Sequence, residues 1–254
     1  MTQPRILILR APGTNCDVET AHAFQLAGGL PEVFHLNRLL ESPNLASEYQ
    51  IICIPGGFSY GDDVAAGRIF GNQIRHHLAE AMREFREAGK LILGICNGFQ
   101  VLIKSGLLDT DDSQGPAASL TWNDSGNFID RWISLKTSGE RCVFLQGIDS
   151  LSLPIAHAEG KFVVRDEKWL NRFDENGQLV LRYADTGEMP SPYNPNGAAA
   201  DVAGMCDSTG RVFGLMPHPE RFIDFTQHPQ WTRLSERGAG QGLAMFRNAV
   251  QYFS

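Results

Sequence analysis

The stretch Lys90-Leu91-Ile92-Leu93-Gly94-Ile95-Cys96-Asn97-Gly98-Phe99-Gln100-Val101-Leu102-Ile103-Lys104-Ser105 decides how the chain is read. Residues 90–95 are an apolar run of strand length and residues 99–105 an apolar helical segment, so a strand passes into a helix through Gly-Ile-Cys-Asn-Gly. A side chain at such a turn sits on strained backbone, and the residues two before and two after must be small for strand and helix to approach. Gly94 and Gly98 meet that demand. The Cys96 thiol then projects at a helix N-terminus, whose partial positive charge favours the thiolate. Taken alone, the motif fits a core cysteine between two glycines as well as it fits catalysis, because short motifs recur freely. The strand before it and the helix after it favour a nucleophile, and a nucleophile needs a base.

Outward from this turn, short apolar runs at 6–9, 32–36, 50–54 and 90–95 alternate with helical or polar segments, the pattern of a parallel sheet with crossovers. Ile74, Leu78, Met82 and Phe85 recur at helical spacing and Gly89 follows as a stop, which predicts one helix covering a face of that sheet. After Gly106 the strand candidates are shorter (132–135, 162–164, 179–183, 202–205 and 212–216) and are separated by polar turns, so hairpins join a mixed sheet. Residues 109–130 and 185–201, rich in Gly, Pro, Ser, Asn and Asp, read as surface loops. A closing helix over 242–252 places Leu243, Phe246, Val250 and Phe253 on one stripe. The expected class is α/β, an open mixed, mostly parallel sheet flanked by helices, in a single domain over residues 1–254.

Bulk properties narrow the function. The formal net charge of -7 comes with no clustered basic face, which argues against a nucleic-acid backbone as partner. Apolar runs such as 51–55 and 91–95 are far short of the roughly 20 residues of a membrane helix, and the N-terminus goes directly into a strand pattern without signal-peptide regions. A cytoplasmic location without membrane attachment is expected. Five cysteines, Cys16, Cys53, Cys96, Cys142 and Cys206, stand at irregular spacing with no CxxC, so neither a disulfide framework nor a metal site is indicated. Each except Cys96 reads as a buried thiol.

Of seven histidines, His218 has a distinctive setting: Gly214-Leu215-Met216-Pro217-His218-Pro219-Glu220-Arg221, just beyond an apolar strand. Prolines on both sides restrict the backbone, and a carboxylate two residues on can reach back to hold one ring nitrogen, leaving the other for a thiol. Cys96, His218 and Glu220 thus form a candidate triad. His76 and His77 lie on the predicted helix, where a solvated face explains them. After strand 50–54, Pro55-Gly56-Gly57-Phe58-Ser59-Tyr60-Gly61-Asp62 reads first as a turn. A triad enzyme also needs two backbone donors for its tetrahedral intermediate, and the N–H groups of Gly57 and Asn97 are the candidates.

PGGFSYGD, GICNGFQ and PHPER, in this order and at these separations, resemble the class I glutamine amidotransferases, whose nucleophile, histidine and glutamate correspond to Cys96, His218 and Glu220. CNGFQ, together with APGTNCD near the N-terminus, IAHAEGKF at 155–162 and NPNGAAADVAGMCD at 194–207, looks like the glutaminases of phosphoribosylformylglycinamidine synthase. The resemblance runs from about residue 5 to the C-terminus. It implies hydrolysis of glutamine to glutamate and ammonia, with the ammonia passed to a partner synthetase that carries the ATP and magnesium sites, and it leaves room for a small accessory subunit. The lack of a GxxxxGK[ST] loop here agrees with ATP binding elsewhere. Gln100 is then a candidate contact for the amino-acid end of the substrate. His157 and Glu159 lie in a family-typical stretch and are read as structural or interface residues. HAEG replaces the HGEG of many separate subunits, and the long region QHPQWTRLSERGAGQGLAMFRNA resembles the tail of forms fused to the synthetase. The rival readings are another class I amidotransferase, a cysteine peptidase or DJ-1-like protein on a related fold, and a non-catalytic module. The lack of a histidine right after Cys96 and the presence of HPE count against the peptidase-like reading.

Overall fold

The computed structural model describes residues 3–138, 140–187, 191–233 and 237–254, with the side chains of Asp111 and Asp112 left aside. The strands are β1 (Arg5–Arg10), β2 (Leu30–His35), β3 (Ile51–Ile54), β4 (Leu91–Ile95), β5 (Asp111–Asp112), β6 (Gly115–Pro116), β7 (Ala118–Thr121), β8 (Ile129–Thr137), β9 (Ser150–His157), β10 (Lys161–Val164), β11 (Leu181–Tyr183), β12 (Val202–Cys206) and β13 (Val212–Leu215). The α-helices are α1 (Asp17–Leu26), α2 (Leu36–Glu41), α3 (Arg68–His77), α4 (Ala79–Glu87), α5 (Asn97–Ser105), α6 (Glu167–Glu175) and α7 (Leu243–Gln251). Nine strands form one sheet in the order β2-β1-β3-β4-β13-β12-β11-β8-β9. The first five run parallel and the rest are joined antiparallel, so the α/β expectation holds.

The parallel half owes its position to composition. β3, β4 and β13 are buried at every residue, which suits strands covered on both faces. α1 packs on β1, β2 and α7, while α5 packs on β3, β4 and β13 and against α3. The chain runs from β1 outward to β2 and then returns past β1 to β3, which makes a switch in strand order where open α/β sheets place their sites at the strands' carboxyl ends. Cys96 follows β4 directly, His218 comes three residues after β13, and Gly57 three residues after β3.

Three expectations are corrected. The helix predicted through Ile74 and Phe85 is two helices, broken at Leu78, whose φ of -121° and ψ of 7° are not helical. Its apolar positions are all buried as the spacing predicts, but α3 covers α5 and α4 covers the turn Pro43–Glu48, so the break serves two partners. Gly89 does end the second helix, at φ 74°. Residues 109–130 are not merely a surface loop: the β5–β6 hairpin lies there, β7 pairs with β10, and Ala117, Ala118, Leu120 and Asn123 are buried. β9 is also unforeseen, because Pro154 interrupts its pattern. It is the last strand of the sheet, where a residue without an N–H is tolerated. In the loop at 185–201, residues 188–190 lie outside the described part, as do residues 234–236 of the long C-terminal region.

At the joint between β4 and α5 the backbones lie in close contact. A Cβ on Gly94 would stand 2.6 Å from the Gly98 carbonyl oxygen, and one on Gly98 would overlap the carbonyl oxygen of Ile54 in β3. Gly98→Ala must therefore separate α5 from β3. Overpacking of this kind costs about 1–3 kcal/mol and lowers the melting temperature by roughly 3–10 °C, measurable by thermal unfolding followed by circular dichroism.

Candidate active site

Cys96 lies at φ 51° and ψ -105°, the strained turn expected from its flanking glycines. Its N–H bonds to Leu215 of β13 at 2.7 Å, which fixes the turn to the strand that leads to His218. Its thiol is 3.6 Å from the carbonyl of Ala156 and points into a nearly closed site. His218 is positioned from the same strand, β9: its N–H donates to Pro154 O at 2.9 Å. The last strand of the sheet thus returns to wall the site, with two of its carbonyls spent on the nucleophile and the histidine.

His218 Nδ1 and Glu220 Oε1 are 2.6 Å apart, and the two residues are 2% and 0% exposed. Burial by itself disfavours a charged imidazole. The Glu220 carboxylate and the Cys96 thiol more than offset it, and His218 is held well above the usual histidine range. Nε2 forms no hydrogen bond, which leaves that nitrogen for chemistry. Glu220 and Cys96 thus both lie close to the His218 ring.

The two donor candidates lie on the glycine loop and at the first residue of α5. Gly57 has a φ of 144°, and a Cβ there would meet Asn15 N, Gly13 O and Thr14 Cα, each at 2.8 Å. Phe58 N–H donates to Gly13 O at 2.9 Å and Asn15 N–H to Gly56 O at 3.4 Å, so APGTNCD braces the glycine loop. Among the described residues the N–H groups of Gly57 and of Asn97, the first residue of α5, have no hydrogen-bond partner. Both remain free to receive an oxyanion.

Gln100, the candidate substrate contact, is tied within the protein. It is buried, its Oε1 accepts from Asn97 Nδ2 at 2.8 Å, and its Nε2 donates to Glu159 O at 2.7 Å. Asn97 in turn holds the loop, accepting from Ser59 N–H at 3.1 Å and donating to Asp62 at 3.1 Å. Glu159 closes the circuit by accepting from Ala66 N–H at 3.3 Å. The loop so tied has positive φ at Tyr60, Gly61, Asp62, Val64 and Gly67, strain that these bonds must hold.

Sequence reasoning missed two contributors. Cys16 takes an N–H from Arg221 at 3.2 Å and packs against the His218 ring beside Gly56, although its thiol reads as mere filling; the signal was APGTNCD. Among the described residues Cys16, His218 and Glu220 bring one ligand atom each within 4.8 Å of one another. The guanidinium on the sulfur and the short His218–Glu220 bond oppose a cation there. The second is the stretch that leads into HAEG: Ala156 O lies 3.6 Å from the Cys96 thiol, and Asn196 of NPNG donates to Gly160 O at 2.8 Å and to Tyr183 at 3.2 Å.

A model of the CobB/CobQ-like glutamine amidotransferase domain matches residues 3–253. The chain is 47% identical to the phosphoribosylformylglycinamidine synthase subunit PurQ of Dehalococcoides mccartyi, covering 99% of this chain and 98% of the relative. It is 42% identical to the subunit PurQ of Methanococcus maripaludis at the same coverage. The relatives named are separate subunits matched over nearly their whole length, so the long C-terminal region does not single out fused forms. A solved structure of PurLQS from Thermotoga maritima superposes with a TM-score of 0.75 at 31% identity, each chain covered completely.

Burial, and then the nearby Glu159 carboxylate, raise Asp62 from about 3.8 to about 6. The folded chain therefore binds more protons than the unfolded one between about pH 4 and 6, and stability falls as pH rises through that window. Asp62→Asn removes this fall. The melting temperature of the variant should gain on the parent from pH 4 to 6.5 and run parallel to it above.

Proposed function

The chain belongs to the CobB/CobQ-like glutamine amidotransferase family and, within it, to the phosphoribosylformylglycinamidine synthase glutaminase subunits; on that premise we propose that Cys96, His218 and Glu220 hydrolyse glutamine to glutamate and ammonia. The observation that carries the reading is the strained Cys96 beside a buried His218–Glu220 pair, with the unbonded N–H of Asn97 next to it and that of Gly57 on the loop after β3. The Cys96 thiolate attacks the carboxamide carbon, and the oxyanion falls on the N–H groups of Gly57 and Asn97. The His218 imidazolium gives its proton to the amide nitrogen, ammonia leaves, and water then hydrolyses the thioester with His218 as base. Glu220 holds the ring and stabilises its charge. Asn97 and Gln100 fix the loop that carries Gly57.

The ammonia serves the ATP-dependent conversion of formylglycinamide ribonucleotide to formylglycinamidine ribonucleotide in purine biosynthesis. ATP and magnesium are assigned to a partner synthetase subunit, and this chain contributes a single glutaminase domain without a cofactor of its own. The Thermotoga neighbour belongs to a PurLQS assembly, which supports a synthetase and a small accessory subunit as partners here. Among the described residues no helix is long and apolar enough to cross a membrane, and a cytoplasmic site of action fits this pathway.

Glutamate release by the purified chain should depend on Cys96 and rise with the synthetase from the same cell, ATP and formylglycinamide ribonucleotide. Activity that persists in Cys96→Ala sinks the nucleophile assignment; Cys96-dependent activity indifferent to that synthetase sinks the pathway. Absence of both turnover and Cys96 labelling by a glutamine-mimicking electrophile in the full complex favours the non-catalytic reading. Glu220→Gln should lower kcat on the order of 10²- to 10⁴-fold, as when a triad loses the group that orients its base.

A further inference from the structure

His157 ends β9 one residue beyond the carbonyl that touches the Cys96 thiol. Its protonation state follows from its neighbours. Asn123 Nδ2 donates to Asn127 O at 2.9 Å and to His157 O at 2.8 Å, so Asn123 Oδ1 must be an acceptor. That oxygen already receives Gly160 N–H at 3.2 Å and lies 3.1 Å from His157 Nδ1. His157 Nδ1 therefore carries the proton, and Nε2 presents a bare lone pair.

This lone pair has no hydrogen-bond partner, although His157 is only 3% exposed. Burial and then the His218 charge push His157 down to about 3, so protonation does not rescue it at any neutral pH. The ring cannot swing away either, since the Gly160 backbone lies against it; a Cβ there would stand 2.6 Å from Nε2. A buried acceptor left unmet is costly, and a rigid one beside a catalytic pair calls for a donor that arrives with the substrate. Two nearby donors point elsewhere, the Cys96 thiol to Ala156 O and His218 Nδ1 to Glu220. A carboxamide brings two N–H donors on the nitrogen that His218 must protonate.

Resting on the glutaminase reading, we propose that His157 Nε2 accepts an N–H of the scissile carboxamide and holds the leaving nitrogen in place. In the step concerned, the bond from Cys96 Sγ to the carboxamide carbon forms and the carbon–nitrogen bond breaks. Its electron pair stays on nitrogen, the His218 proton joins it, and ammonia departs. His157 takes up no proton. Being acceptor-only, it does not compete with His218 as a donor, and it favours amide over ester leaving groups, which have no N–H to offer.

The test compares glutamine with the γ-methyl ester of glutamate, using the chain in complex with its synthetase, as wild type, His157→Phe and His157→Gln. Wild-type protein that turns over neither substrate refutes the glutaminase reading before the variants are considered. With that activity present, His157→Phe should lose about tenfold to a hundredfold in kcat/KM on glutamine, the usual cost of one substrate hydrogen bond in a buried site, while the ester stays within about twofold. His157→Gln, which returns an acceptor near the Nε2 position, should recover most of the loss. Should His157→Phe fail to fold by circular dichroism, His157→Asn is measured in its place, since it keeps a group for Asn123 and removes the distal acceptor. Parallel losses on amide and ester, or no loss on either, overturn the proposal.

Discussion

Everything at this site depends on how closely α5 can approach the sheet. Cys96 occupies a left-handed conformation that costs on the order of 1–3 kcal/mol for a residue with a side chain. The conformation persists because the backbone around it leaves no alternative. Gly94 and Gly98 lie in contact with each other's turn, Gly98 is pressed on Ile54, and the Cys96 N–H is taken by Leu215. The same contacts bring three parallel strands to one point: β3 delivers the glycine loop, β4 the nucleophile and β13 the base. Strain in the turn and closeness of the strands are one constraint, since relaxing either would displace the thiol from His218.

Around this joint the site is held by polar bonds with little slack. Asn97 begins α5 with an unbonded backbone N–H while its side chain ties Ser59, Asp62 and Gln100, so the start of the helix also fixes the loop that follows Gly57. Gln100 passes the tie to Glu159, and Glu159 passes it to Ala66. Such a network is rigid when every member is satisfied. The Asp62 carboxyl is its weak point, because it is half-buried near a second carboxylate. The strained loop from Tyr60 to Gly67 is therefore the part of the site whose order is cheapest to alter, and it borders the exposed aromatic rings of Phe58 and Phe128, 6.3 Å apart.

Much of this was legible in one dimension. The buried parallel strands declare themselves as unbroken apolar runs, and the triad as GICNG after a strand and PHPE after another. Other features were hidden for identifiable reasons. β9 carries Pro154 and β7, Ala118-Ser119-Leu120-Thr121, is only four residues long, so neither stands out as a strand, yet β9 walls the site and β7 packs on α5. The single helix expected through Leu78 obeyed its period and still broke, because periodicity reports which residues are buried and not which neighbour buries them.

The sequence by itself determined the α/β class, the motifs that carry Cys96, His218 and Glu220, and the glycines that let strand and helix meet, because each rests on local backbone chemistry over a few residues. Only the tertiary structure decided which groups hold Gln100, Cys16 and His157. Those partners lie 59, 205 and 34 positions away along the chain, and a hydrogen bond at that separation leaves no trace in local spacing.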